Sequence, residues 1–234
     1  MAVFDSAVLF IASLSLVTGI WTNVALNKPA WMSSVWHANR RPAGKAVDGN
    51  TRSDDGLYAV HTNVGETTAW WKVDLQKQVQ SALVILYFRT DYKFRRNGIK
   101  LYISLQNSTD AHHDRLCHTI VGAADGTDIS DIYNVTCSET WRYLTVYTET
   151  DNDGQGAILD FAEVQVSACA PEYYGADCGQ LCAERHCKVN SSCDDKMQGQ
   201  CVGGCADGYQ GTDCTQDFET NELLQRRPSS YPWR

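Results

Sequence analysis

The sequence predicts an all-β protein: an antiparallel β-sandwich or jelly roll over residues 20–168, then a small disulfide-rich module. Three observations carry that prediction. First, residues 20–168 hold short runs rich in Val, Ile, Leu, Tyr and Trp, namely WWKVDL, ALVILYF, IKLYISL, RYLTVYTE and AEVQV, with polar Gly/Asp/Asn/Thr segments between them. That is the composition of half-buried strands joined by long loops. Second, no window there sustains a capped helical period. Third, the composition shifts at Cys169 to Gly, Cys and Asp, and eight of the ten cysteines fall between Cys169 and Cys214.

The elements follow in order. In MAVFDSAVLFIASLSLVTGIW the apolar stretch Ala7–Val17 is too short to cross a bilayer, and Val17 and Gly19 are small residues at cleavage spacing. Residues 1–19 therefore read as a signal peptide, with a buried N-terminal strand as the competing reading. The even cysteine count fits the oxidising, extracellular compartment this implies. Sequons at Asn107, Asn134 and Asn190 are glycosylation acceptors in a secreted chain. A formal charge of −8 excludes general binding to nucleic acid or anionic membrane. No second apolar stretch approaches the length of a membrane anchor, so membrane insertion is not expected.

Within the sandwich, Asn97-Gly98 is a strong turn dipeptide between two strand runs. The charged stretch LYFRTDYKFRRNGIKLYISL thus reads as a long hairpin connection. Cys117 and Cys137 are the one pair available to this domain and are expected to staple an irregular segment from Asn107 to Thr140. By chain entropy the closed loop is worth about 3 kcal/mol. Residues 169–214 hold too few apolar side chains for a core, so disulfides must replace it. The tail, 215–234, with Arg226-Arg227 and two prolines, is expected to be disordered.

Two constellations carry chemistry. His61, Arg89, Asp91 and Arg96 combine planar-fork donors, a carboxylate able to hold them and one more oriented ring nitrogen. Those are the requirements of a neutral polyol site; a solvated hairpin with a stray histidine is the competing reading. AVDGNTRSDDG, residues 46–56, clusters hard oxygen donors on a glycine turn, as calcium requires, or else is an acidic surface turn. TDNDGQG around Asp151 and Asp153 lacks the glutamate of an EF-hand and reads as a loop. His112, His113 and His118 have no partner at zinc spacing. No Ser, Cys or carboxylate pair stands at catalytic spacing, so a binding protein rather than an enzyme is expected.

The segments NVALNKPAWMSS, AGKAVDGNTRSDD, AWWKVDL, RTDYKFRR and LDFAEVQV resemble the F-type lectin (fucolectin) domain over about residues 23–167. These are fucose-binding β-jelly rolls related to the coagulation factor 5/8 C-type domain. Arg89-x-Asp91, then four residues and Arg96, match the family's sugar motif, and His61 precedes Arg89 by one residue more than that motif has. The resemblance implies that His61, Arg89 and Arg96 donate to L-fucose, that Asp91 orients the arginines, and that Leu57, Tyr58 and Trp36 are near enough to receive the 6-methyl. Tyr92 and Lys93 stand where members carry two adjacent cysteines, and Tyr92 offers an aromatic face in their place. Ala59 and Ala162 replace a second pair. The resemblance also implies a structural calcium ion on Asp48, Asn50 and Glu163, with carbonyls near Lys45, Tyr58 and Ala162, ordering the loop beside His61.

The last module resembles EGF-like (laminin-type) repeats through YYGADC and GCADGYQGTDC, which implies Cys169–Cys178, Cys182–Cys193, Cys187–Cys201 and Cys205–Cys214. The combined expectation is a secreted, calcium-dependent lectin for fucosylated glycans, acting in innate recognition and gaining avidity as a homo-oligomer or on multivalent glycans. The alternative is an adhesion or scavenger-receptor-like fragment that binds protein or polyanion through Arg89, Lys93, Arg95 and Arg96.

Overall fold

The computed structural model describes residues 21–37, 41–54, 56–108, 114–189 and 193–218. The expected signal peptide, Asn190, His112, His113 and most of the tail lie outside them. Seven strands form one continuous antiparallel sheet: β1 Trp21–Asn23, β2 Ala30–Met32, β3 Ala69–Phe88, β4 Lys100–Ser104, β5 Arg115–Thr119, β6 Ile132–Thr148 and β7 Phe161–Cys169. Their order is β1-β7-β3-β6-β4-β5, with β2 also on β3.

Two long strands turn this sheet into a sandwich. The first half of β3 pairs with β2 and with the second half of β6, which in turn pairs with β4. The second half of β3 pairs with β7 and with the first half of β6. Both strands therefore run through both layers. Register shifts between Asp74 and Val79 and between Gln80 and Ala82, with positive φ at Gln76 (60°) and Ser81 (51°), fold β3 over. Bulges bend a strand and raise its local twist, which lets one strand serve two layers.

Between the layers lies a core in which Trp71, Phe88, Trp141 and Phe161 are fully buried. Trp71 meets Phe161 edge-on at 5.6 Å and donates its indole N–H to the Ala43 carbonyl at 2.9 Å. In the second half of β3, Ala82, Val84, Leu86 and Phe88 face inward while alternate residues are half-exposed, the period-2 pattern of a one-sided strand.

Three expectations change. WWKVDL and ALVILYF are one strand, because the bulges carry the ladder through the polar residues between them. The stretch after Phe88 is not a hairpin: β3 ends in the β7 layer, β4 lies in the other, and the two do not pair. Residues 115–119 and 132–140, expected to be irregular, are strands, and the Cys117–Cys137 disulfide ties β5 to β6. The side chains of Asn107 and Asn134 are exposed.

The cysteine-rich segment is held by Cys169–Cys178, Cys182–Cys193, Cys187–Cys201 and Cys205–Cys214. Two short ribbons complete it, β8 Tyr173–Tyr174 with β9 Gln180–Leu181, and β10 Tyr209–Gln210 with β11 Gln216–Asp217. Pairing of Gln216–Asp217 places the start of the expected disordered tail within this fold. The segment docks where β3 and β6 fold over, and the Lys196 amide donates to Gln80 Oε1 at 3.0 Å. The ends of β3, β6 and β7 that carry Phe88, Ile132 and Phe161 lie at the opposite end of the sandwich.

Candidate functional site

At that opposite end the chain leaves β3 through Arg89 and Asp91 and makes one 3-10 turn, Lys93–Arg96. Tyr92 precedes the turn in the left-handed region, φ 51° and ψ 39°. Such a conformation is uncommon for a bulky residue and reverses the chain abruptly. The turn, the loop before β7 and the segment after Ala59 enclose a pocket of about 260 Å³ walled by Trp36, Arg41, His61, Arg89, Tyr92 and Arg95, with Val64 and Gln155 at its edge.

The two central arginines are fixed by carboxylates. Arg89 grips Asp91 bidentately, Nε at 2.9 Å and NH2 at 2.7 Å, and reaches Asp160 through NH1 at 3.3 Å. Arg95 donates to the same Asp160 oxygen at 2.7 Å and to Asp153 Oδ2 through Nε at 3.1 Å and NH2 at 2.9 Å. Burial pushes the Asp160 carboxyl up to about 6, against the pull of Arg95 and Arg89. Paired forks of this kind are preorganised, so little side-chain entropy remains to be lost on binding. The Tyr92 ring covers both guanidinium groups, 4.9 Å from Arg89 and 4.3 Å from Arg95.

His61 is 4% exposed and stacks on Trp36 at 4.7 Å. Burial, reinforced by Arg95, Arg41 and Arg89, lowers its pKa to about 4. The ring is therefore neutral near pH 7. Its Nδ1 lies 2.6 Å from the Thr62 carbonyl, which can only accept, so Nδ1 carries the proton. Nε2 then presents a lone pair, 3.3 Å from Arg95 NH1. The expected donor is an acceptor on its pocket side.

Arg96 requires a larger correction. It is 2% exposed and donates to the Ile129 carbonyl at 2.7 Å, to Asp131 at 2.6 Å and to the Arg89 carbonyl. Consecutive side chains of a 3-10 turn diverge by a third of a revolution, so Arg95 and Arg96 cannot face the same way. Arg95 fills the place expected of Arg96. Leu57 and Tyr58 are not among the pocket residues: Leu57 is exposed, and the Tyr58 ring lies under Arg52 at 4.4 Å. Trp36 does line the pocket. The sequence pattern gave no sign of Arg41, Asp153 or Asp160; Asp160 lies in LDFAEVQV and Asp153 in TDNDGQG, segments marked for other reasons. Lys93 lies outside, 3.4 Å from Asp131. His118 contacts the Tyr133 hydroxyl at 3.0 Å.

The acidic turn sits behind the pocket. Lys45 belongs to a 3-10 turn, Ala43–Val47, that ends on Asp48, and Ala162 and Glu163 lie on β7. Asp48 Oδ1 accepts the Asn50 amide at 2.8 Å, and Asn50 Oδ1 accepts that of Arg52 at 3.1 Å. Glu163 is fully buried; one carboxylate oxygen accepts the Gly49 amide at 3.1 Å and the other has no hydrogen-bond partner. Burial, with Asp48 adding repulsion, pushes its pKa up to about 8. A buried carboxylate with one oxygen unmatched beside an aspartate fits a hard cation. Among the described residues no three His, Cys, Asp or Glu side chains converge, so backbone carbonyls would have to complete the shell.

The antiparallel sandwich has the fold of jelly-roll lectin domains. Residues 45–168 match the factor 5/8 type C family described as the NedA-like, galactose-binding domain, and the chain belongs to that family. Among solved structures, the lectin domain of lectinolysin, determined with Lewis b antigen, is 30% identical with a TM-score of 0.51, over 64% of this chain and 98% of that one. A fucose-binding module of Streptococcus pneumoniae is 27% identical with a TM-score of 0.50, over 62% of this chain and 94% of that one. The serum fucolectin of striped bass shares the fold at 23% identity and a TM-score of 0.51; 64% of this chain aligns, to 48% of that longer one. A comparison with curated protein sequences yields no match.

Proposed function

We propose that the pocket binds a fucose-type sugar and that the protein is a lectin without catalytic activity. One observation carries the reading: two guanidinium groups and an imidazole lone pair converge beside the aromatic faces of Trp36 and Tyr92. Arg89 and Arg95 donate to adjacent sugar hydroxyls, one of which displaces Arg95 NH1 from the His61 Nε2 lone pair, and an aromatic face receives the apolar side of the ring. The lectinolysin domain, with Lewis b antigen bound, and the pneumococcal fucose-binding module support this choice of sugar.

The same carboxylates argue against polyanion binding, the adhesion or scavenger reading. Asp91, Asp153 and Asp160 neutralise Arg89 and Arg95 before any ligand arrives. Calcium, held by Glu163, Asp48 and Asn50 with the carbonyls of Lys45, Ala162 and Tyr58, would supply the positive charge that Glu163 lacks and order the turn behind the pocket. We further propose that the chain is secreted and glycosylated, that residues 169–214 are an EGF-like module set away from the sugar pocket, and that homo-oligomers supply avidity in recognising fucosylated glycans of innate immunity. The test is retention of the calcium-loaded protein on immobilised L-fucose, elution by free fucose, and loss of retention in Arg89→Ala. Retention only on a polyanion column, abolished by salt, would replace this reading with the adhesion one.

A further inference from the structure

The loop TDNDGQG does more than hold Arg95. On its far side lies an open groove of about 680 Å³, between Val64–Thr67 and Asp151–Ala157. Pocket and groove are contiguous, since Val64 and Gln155 line both. One carboxylate oxygen marks the boundary: Asp153 Oδ2 accepts from Arg95 NH2 at 2.9 Å and from Gln155 Nε2 at 3.2 Å. Backbone bonds fix the two walls, Gly65 N–H to the Gln155 carbonyl at 2.6 Å and Ala157 N–H to the Glu66 carbonyl at 2.8 Å. At Gly65 and Gly154, φ +79° and +76°, an added Cβ would meet nothing within 4 Å, so the backbone there leaves the space open.

Size and charge then define the occupant. The pocket's 260 Å³ falls below the range of small-molecule sites, roughly 300–1,000 Å³, and pocket plus groove falls within it. The groove presents the carboxylates of Glu66 and Asp151, Glu149 being paired with Lys100 Nζ at 2.5 Å, and none of the described residues lining it is basic. Hydroxyl and ammonium donors suit such a wall, whereas a sulfate or carboxylate on the ligand would be repelled.

We infer that this groove is a second subsite, which takes the sugar residue linked to the one in the pocket, accepts a neutral or aminated ring and rejects an anionic one. The inference rests on the pocket's reading as a sugar site. The test measures calorimetric affinity of the full chain, with calcium, for L-fucose, an α-fucosyl-N-acetylglucosamine disaccharide and its 6-O-sulfate. The neutral disaccharide should bind about fivefold more tightly than fucose, and the sulfate about fivefold more weakly than the neutral form. Glu66→Lys should leave the fucose affinity unchanged and remove the penalty on the sulfate. Fucose binding without gain from the second ring, or a sulfate penalty that Glu66→Lys does not alter, overturns the subsite alone. Failure of every ligand to bind overturns the pocket's reading as well.

Discussion

Arg95 and Arg96 are consecutive residues of one turn, yet Arg95 faces His61 while Arg96 spans from the Arg89 carbonyl to Ile129 and Asp131. Lysine keeps the charge at either position and loses the fork, so it separates recognition from support. Arg95→Lys should weaken fucose binding by the folded protein at least about tenfold. It should also lower stability by about 1–2 kcal/mol, because a cation still faces Asp160 but the two bonds to Asp153 are lost. Arg96→Lys should lose about 2–3 kcal/mol of stability, a melting shift of about 5–10 °C, with binding of the folded protein changed less than about threefold. Titration with fucose and thermal melts of both variants decide this. His61 adds a pH signature. Its ring is neutral in the fold and takes up a proton in the unfolded chain below 6.5, so the unfolded state binds more protons as pH falls. The His61 contribution to stability is therefore lost between 6.5 and about 4, by about 3 kcal/mol. Asp160, whose raised carboxyl takes up its proton first in the fold, works in the opposite direction over the same range. Urea unfolding at pH 7, 5 and 4 should show that component in the wild type and not in His61→Gln.

At the scale of elements, the pocket depends on loops that reach it from distant positions in the chain. Gly126 approaches the Lys93–Arg96 turn so closely that an added Cβ would lie 2.0 Å from the Lys93 carbonyl oxygen, and its φ is +66°. Gly126→Ala should lower stability by about 2–4 kcal/mol and displace the turn that aims Arg95. Equal melting temperature and fucose affinity in that variant would refute the dependence. This geometry also explains what the sequence reveals and what it conceals. Apolar runs with period 2 mark the strand cores, because burial of one face imposes the pattern. The polar residues at Gln76–Gln80 hide the continuity of β3, since a bulge breaks the period without breaking the strand. Residues 132–140 alternate polar and apolar side chains too mildly to stand out in the chain. Arg89 and Asp91 were legible as a local motif. Asp153 and Asp160 were not, because they meet Arg95 only when the loop before β7 folds back, 58 and 65 residues away in sequence.

In the whole molecule, the buried acid Glu163 links the sandwich to the loop behind the pocket. It lies on β7, bonds Gly49 in the acidic turn, and carries one oxygen without a partner in a site that water does not reach. A cation bound there would stabilise the folded state by mass action, about 2.7 kcal/mol at one hundred times its dissociation constant. Without the cation, burial leaves the acid protonated near pH 7, its pKa pushed up to about 8, and that uptake of a proton is a cost that a neutral amide of the same shape avoids. The two effects predict a crossing. In chelator, Glu163→Gln should melt at or above the wild type, because the amide oxygen still accepts from Gly49 and no buried acid has to be kept protonated. In millimolar calcium the order should reverse, with the wild type rising by several degrees and the variant unmoved. Fucose affinity should follow the wild type's calcium dependence, since Lys45 Nζ donates to the Leu57 carbonyl at 2.7 Å and so ties the same turn to the segment that leads to His61. Scanning calorimetry of both proteins, with and without calcium, tests the whole chain of argument. Parallel responses of the two proteins would remove the metal from Glu163 and leave the turn held by its internal hydrogen bonds alone.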